Sequence, residues 1–204
     1  MSNKIWTRNY DNLYSAAFGY WGSGGSISNP TYNKPCIKDM KGNYYVINNN
    51  SVSHFQGNVM GMTLCTNNYS YITESSSINA DEIGVQIGTG VGEVSKDDFC
   101  LFLPYNGNNV TVGNISINST YDENTHTYTR TVKIPIAYSG SADLTVTEFG
   151  LFSRCSISSN SVGRCMIYHE FIDSPVTLHQ NDTLELTFSQ SIVQPNYTPY
   201  PSTV

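Results

Sequence analysis

The chain has 204 residues, 39% of them apolar and only 13% charged, with a net charge of −6. That length suits one domain with a sizeable core, and the acidic balance argues against broad contact with a nucleic-acid backbone. No apolar run approaches the ~18 residues of a membrane-spanning helix, and the opening MSNKIWTRNYDN has no secretory h-region, so synthesis and assembly in a cytoplasm are expected.

Solubility must come from Asn, Ser, Thr and Tyr, and the mix of strand formers with turn formers is the vocabulary of an all-β protein. Fifteen Tyr, eight Phe and two Trp supply the burial that a disordered chain lacks. The five cysteines have no CxxC spacing and read as buried thiols. Cys155 and Cys165 flank a polar loop and form the one candidate disulfide.

In chain order, Tyr10, Leu13, Tyr14, Ala17 and Trp21 recur at helical spacing, with Asn9 as a candidate N-cap and Gly19 and Gly22 ending the pattern. A Gly/Ser linker follows, so residues 1–35 read as an arm, either folded back on its own domain or plugged into a neighbour. From Cys36 onward the pattern is strand after strand. Candidates are Tyr44–Ile47, Val59–Cys65, Tyr69–Thr73, Ile83–Ile87, Phe99–Leu103, Val110–Asn118, Thr127–Ile136, Leu144–Phe152, Arg164–Phe171 and Thr183–Val193, with one helical turn at Ser77–Glu82. Polar turns such as YNGNN, YDENT and YSGSAD separate them. The reading is an antiparallel β-sandwich or jelly-roll domain over 36–194, followed by an extended tail at 195–204 with three prolines.

The glycine run IGTGVGEVSK at 87–96 fits neither a P-loop, whose lysine must follow the last glycine, nor a dinucleotide fingerprint, which needs a glycine at 93. It reads as a strand entering a tight turn through Gly88 and Gly90. No G-x-S-x-G is present, and the four histidines have no metal-ligand spacing. Cys165 and His169, taken to share a strand face, would lie roughly 13 Å apart, too far to share a metal. A non-catalytic chain without metal or cofactor is expected.

One residue breaks the pattern. Leu144 and Val146 alternate with Thr145 and Thr147, and the next position on the dry side is Glu148. Pairing 127–136 with 142–152 as a hairpin sets Arg130 diagonal to Glu148. Because a stranded buried carboxylate costs several kcal/mol, Glu148 should be held by Arg130 or by backbone N–H groups of a neighbouring loop, the GTG turn first. Gly150 would mark a bulge. The simpler alternative leaves Glu148 wet at a sheet rim.

The segments IGTG…SKDDFCL, TYTRTVKIPI, LTVTEFGLF and MIYHEF-IDSPVTLHQNDTLELTFS together resemble a pattern of tailed-bacteriophage virion proteins, over roughly residues 83–193. The most specific piece is Thr147-Glu148-Phe149-Gly150-Leu151-Phe152. Cys100 stands where a larger residue is usual, and the YHEF stretch lacks an arginine often found there. The resemblance implies a structural β-sandwich of a tail ring, connector, fibre or head decoration, and the composition suits a crAss-like podovirus. It implies a homo-oligomer, ring or trimer, contacting other virion proteins through arms. Trp6, Tyr10, Leu13, Tyr14, Phe18 and Trp21 would then make inter-subunit contacts. The alternative is a glycan-binding module at a fibre tip, and a third reading is an enzyme on a jelly-roll scaffold.

Overall fold

The computed structural model describes residues 3–18, 36–46, 68–74, 82–158 and 161–193. The elements are β1 (Lys4–Trp6), α1 (Arg8–Phe18), β2 (Cys36–Lys38), β3 (Tyr44–Val46), β4 (Asn68–Tyr71), β5 (Glu82–Gly88), β6 (Val110–Val112), β7 (Ser116–Asp122), β8 (Thr127–Tyr138), β9 (Leu144–Ser158), β10 (Ser161–Leu178) and β11 (Thr183–Val193). One sheet has the order β1-β10-β9-β5-β4, antiparallel except for the parallel β4–β5 pair; the other runs β11-β8-β6, with β7 also on β8. β2 and β3 form a separate ribbon. The fold is an all-β sandwich.

The core lies between the two sheets, where Ile83, Val85, Ile87, Leu144, Val146, Phe149 and Leu151 meet Val132, Ile134, Ile136, Leu186 and Phe188. In β11 and the C-terminal half of β8, alternate residues are buried, as expected of strands with one wet face. β9 behaves differently. Leu144 and Val146 belong to the core, but so do Phe149 and Leu151, so the core-facing parity changes between 146 and 149. The change sits opposite an irregularity in β10, where Phe171 pairs with Glu148 and the next pair is Val176 with Val146. A second bulge in β10 lies at Ile167, since Met166 pairs with Phe152 and Tyr168 with Leu151.

Several expectations are revised by this topology. β8 and β9 are not a hairpin: β8 pairs with β11, β6 and β7, whereas β9 pairs with β10 and β5, so the YSGSAD turn carries the chain from one sheet to the other. Phe99–Leu103 is a covering loop, not a strand, and Val110–Asn118 is divided at Gly113 into β6 and β7. Gly150 does not mark the bulge; it pairs regularly with Gln86 and His169, and a Cβ there would sit 3.0–3.1 Å from Phe152, Leu101 and Met166. Its role is close packing. Cys165 retains a thiol, and the register sets it opposite Ser153, with Cys155 opposite Gly163. A diagonal cross-strand pair is ~7–8 Å apart, too far for a disulfide.

The N-terminal segment belongs to the sandwich. β1 pairs with β10, with Ile5 opposite His169, and the Trp6 ring meets Tyr10, Tyr168 and Phe188 at 4.2–5.3 Å. Leu13 is fully buried and Tyr10 nearly so. Asn9 is no cap: it lies inside α1, accepts from Lys38 N–H and donates to the Lys38 and Met166 carbonyls. Of the arm residues, Tyr10 and Leu13 therefore belong to the chain's own core and Trp6 packs half-buried against it, so this part of the arm folds back on its own domain. The side chains of Tyr14 and Phe18, and all of Trp21, fall outside the described residues, as do the Gly/Ser linker, the candidate strand Val59–Cys65, the tail at 195–204 and all of the candidate turn Ser77–Glu82 except Glu82, which opens β5.

Leu13→Ala should lower the unfolding free energy by about 2–4 kcal/mol. The loss should be the same at every protein concentration in thermal melts, because the pocket it vacates belongs to one subunit.

Candidate functional site

Every residue is buried over 83–88 of β5, 148–153 of β9 and 165–169 of β10, so these stretches are covered on both faces. Away from the main core, Gly84, Gln86 and Gly88 of β5 lie opposite Phe152, Gly150 and Glu148 of β9. The loop 89–103 covers this outer face, and Leu101 packs with Phe152, Met166 and Ile72 in a second apolar cluster. The parity change in β9 turns Glu148 outward into this layer. The bulge at Ile167 does the same for His169: without it, Cys165, Ile167 and His169 would share a face, but Tyr168 enters the core in place of His169.

Glu148 is completely buried. Its Oε1 accepts hydrogen bonds from the backbone N–H of Gly90 at 3.0 Å and of Leu103 at 2.8 Å. Its Oε2 accepts from Phe102 N–H at 3.0 Å and faces His169 Nε2 at 3.0 Å. Three of these donors come from the two ends of the covering loop, so one carboxylate closes it. Thr147 next door donates to the Gly90 carbonyl at 2.6 Å. Gly88 and Gly90 are glycines because of the carboxylate: a Cβ would lie 2.5 Å and 2.4 Å from Oε1. Gly90 would also bring a Cβ 2.5 Å from Phe102 Cβ.

His169 is also fully buried, with Nδ1 at 2.7 Å from Asp98 Oδ2. Both ring nitrogens face carboxylate oxygens, and only an imidazolium donates from both. Phe102 and Phe171 flank the ring at 5.8 and 5.0 Å. Asp98 is fixed in turn, accepting from Ser95 N–H at 2.8 Å. Burial alone would push the His169 pKa down, but hydrogen bonds to Asp98 and Glu148 and their charges outweigh it, and the net shift is upward. For Glu148, burial would raise the pKa, and the His169, Leu103 and Phe102 donors reverse this to a net lowering.

Weaker ties hold the rim of the loop. The Arg8 guanidinium meets Asp97 at 2.6 Å, Lys96 meets Asp11, and the Lys38 ammonium lies 3.7 Å from the centre of the Phe99 ring. The Arg8 and Asp97 side chains are 61% and 70% exposed, so that ion pair adds little to stability. The brace is the buried cluster.

Of the expected brace residues, Glu148, Gly88 and Gly90 come together as anticipated, with the GTG turn supplying one N–H. Arg130 does not join them. It stands on β8 in the other sheet, between Ser119 of β7 and Gln190 of β11, because the hairpin that would have brought it close does not form. The rim alternative also fails, since Glu148 has no exposure. His169, Asp98, Phe102 and Leu103 were not anticipated. The one available signal is the acidic pair Asp97-Asp98 directly ahead of an apolar run, a pattern that ordinarily marks a turn.

Chemically the cluster is a clamp. Both nitrogens of His169 are committed to carboxylates, and neither is presented to a hydroxyl or thiol nucleophile. Glu148→Gln should destabilise the protein by about 3 kcal/mol, roughly 10 °C in Tm, because an amide NH₂ would then oppose a backbone N–H or the imidazolium. Gly90→Ala should give a loss of similar size, read in the same melts.

The pH dependence has two limbs. The raised His169 pKa contributes stability that is complete below its ordinary value of 6.5 and lost as pH rises through the folded-state value. The lowered Glu148 pKa contributes stability present above its ordinary 4.5 and lost as pH falls through the folded-state value. The difference in Tm between wild type and His169→Gln should therefore be largest between pH 4.5 and 6.5 and shrink on either side of that window. Comparison with protein-family models, curated proteins and solved structures finds no match to this chain.

Proposed function

We propose that this chain is a non-catalytic structural component of a tailed-bacteriophage virion, of the tail-ring, connector or fibre type. It acts by self-association and by contact with neighbouring virion proteins after synthesis in the host cytoplasm. The observation that carries this reading is the convergence of the segments bearing the resemblance. The GTG turn, the Asp98–Leu103 stretch, the TEFGLF strand and the YHEF strand are far apart in sequence. They meet at one carboxylate, through Gly90, Leu103, Phe102 and His169. A pattern spread over the chain thus has a single physical purpose, which is to hold a loop rigid on a sheet.

Two further features favour a contact module. The acid–base cluster is sealed, with Glu148 and His169 inaccessible to solvent, whereas catalytic acids and bases must reach a substrate. The clamped loop also presents Val91, Phe102 and Leu103 with 78%, 51% and 59% exposure. Exposed apolar side chains on a rigid support suit a protein interface.

Purified particles of the phage encoding this sequence provide the test. The protein should be present in gradient-purified virions by mass spectrometry, and gold-labelled antibody should mark one fixed position in electron micrographs. Its presence in infected-cell lysate but not in purified particles would overturn the proposal.

A further inference from the structure

The sandwich leaves unequal strand edges. In the first sheet the edge strands are β1 with three residues, including Lys4, and β4 with four. In the second sheet, β6 has three residues and β7 has seven. β11 has eleven, and among the described residues it pairs with β8 alone, in a register unbroken over eleven pairs. Long edges are ordinarily guarded by lysine, proline, a bulge or an inward-pointing charge. β11, TLELTFSQSIV, has none of these. Its one charge is Glu185, already bound to Lys133 at 2.7 Å on its own subunit.

We propose that two copies of this chain join through the free edge of β11, antiparallel about a two-fold axis at Phe188. The proposal rests on the self-association reading above and names its surface. A two-fold at Phe188 sets all eleven residues opposite one another: Thr187 against Ser189, Leu186 against Gln190, Glu185 against Ser191, Leu184 against Ile192. The strand is self-complementary in this register. The half-buried Leu184 and Ile192 meet on the inner face, and small hydroxyl residues meet on the wet face. The two Glu185 side chains stay roughly 20 Å apart along the strands, so no like charges oppose. About ten backbone hydrogen bonds would form, running the second sheet of one copy into that of the other.

The competing use of this edge is against β7 of a neighbour. β7 and β11 both run antiparallel to β8, so they are parallel to each other, and that addition would be head-to-tail. Such contacts close only if the rotation happens to close, whereas the two-fold pairing closes by itself. A groove of about 490 Å³ lined by Ile5, Trp6, Tyr10, Tyr168 and Gln190 opens along the same side of the sandwich, so an incoming copy would also cover apolar surface.

Full-length protein in sedimentation velocity over a hundredfold concentration range tests this. Wild type should sediment as a dimer or a multiple of one. Thr187→Lys with Ser189→Lys, both exposed and beside the axis, should give a monomer that still unfolds cooperatively at low concentration, with only the small loss of Tm expected from placing a lysine opposite Lys133 and removing the Ser189–Thr131 hydrogen bond. Asn118→Lys with Thr120→Lys on the wet face of β7 should behave as wild type. As a second readout, Glu185→Cys with Ser191→Cys should yield an oxidised covalent dimer beyond that of wild type, since the two positions are too far apart to bridge within one chain. Persistence of the oligomer in the β11 lysine variant, or dissociation by the β7 variant instead, would overturn the edge while leaving the virion assignment standing. A wild type that is monomeric throughout would overturn the edge proposal, and absence from particles as well would remove the reading beneath it.

Discussion

A carboxylate with no access to water must find all its hydrogen bonds inside the protein, and Glu148 does so with three backbone N–H groups and one imidazolium. The rest of the outer layer follows from that requirement. Two of the donors, Phe102 and Leu103, lie at the far end of a loop that begins with the third, Gly90. The loop therefore cannot leave the sheet without uncovering an ion, at a cost of several kcal/mol. Asp98 extends the constraint, since it balances the charge on His169 from the middle of the same loop. Two acids around one imidazolium leave one net negative charge, spread over a cluster rich in backbone donors.

The backbone irregularities are what make this cluster possible. A strand of strict period two would direct Glu148 into the apolar core beside Val146, and it would direct His169 there beside Cys165. The parity change near Thr147 and the bulge at Ile167 turn both side chains to the outer face and bring Phe149 and Tyr168 inward. Each irregularity disturbs the hydrogen-bonded ladder locally. Both occur in the β9–β10 pairing, so the two displaced side chains arrive at the same place.

The functional reading draws on rigidity more than on chemistry. A clamped loop carrying Val91, Phe102 and Leu103 on its surface presents apolar contacts without the ordering cost that a flexible loop would add on binding. Beside the loop, β1 and α1 seal one edge of the core, and among the described residues β11 pairs with β8 alone in an unbroken register. A subunit with one braced face and one pairable edge is suited to repeated assembly.

Much of this architecture was legible from the sequence. Period-two alternation located most of the strands, with Thr183–Val193 matching β11 residue for residue, and the cost of burying a carboxylate was enough to require a brace for Glu148 and to point to the GTG turn. Those conclusions depend on local pattern and on the chemistry of single residues. Tertiary structure alone decided which strands are neighbours. Sheet pairing is a long-range choice, so the short turn between β8 and β9 suggested a hairpin where the chain crosses to the other sheet, and Arg130 was assigned to the wrong layer. It also decided the partner of Glu148, because a bulge shifts every later side chain to the opposite face while leaving almost no mark in the residues themselves.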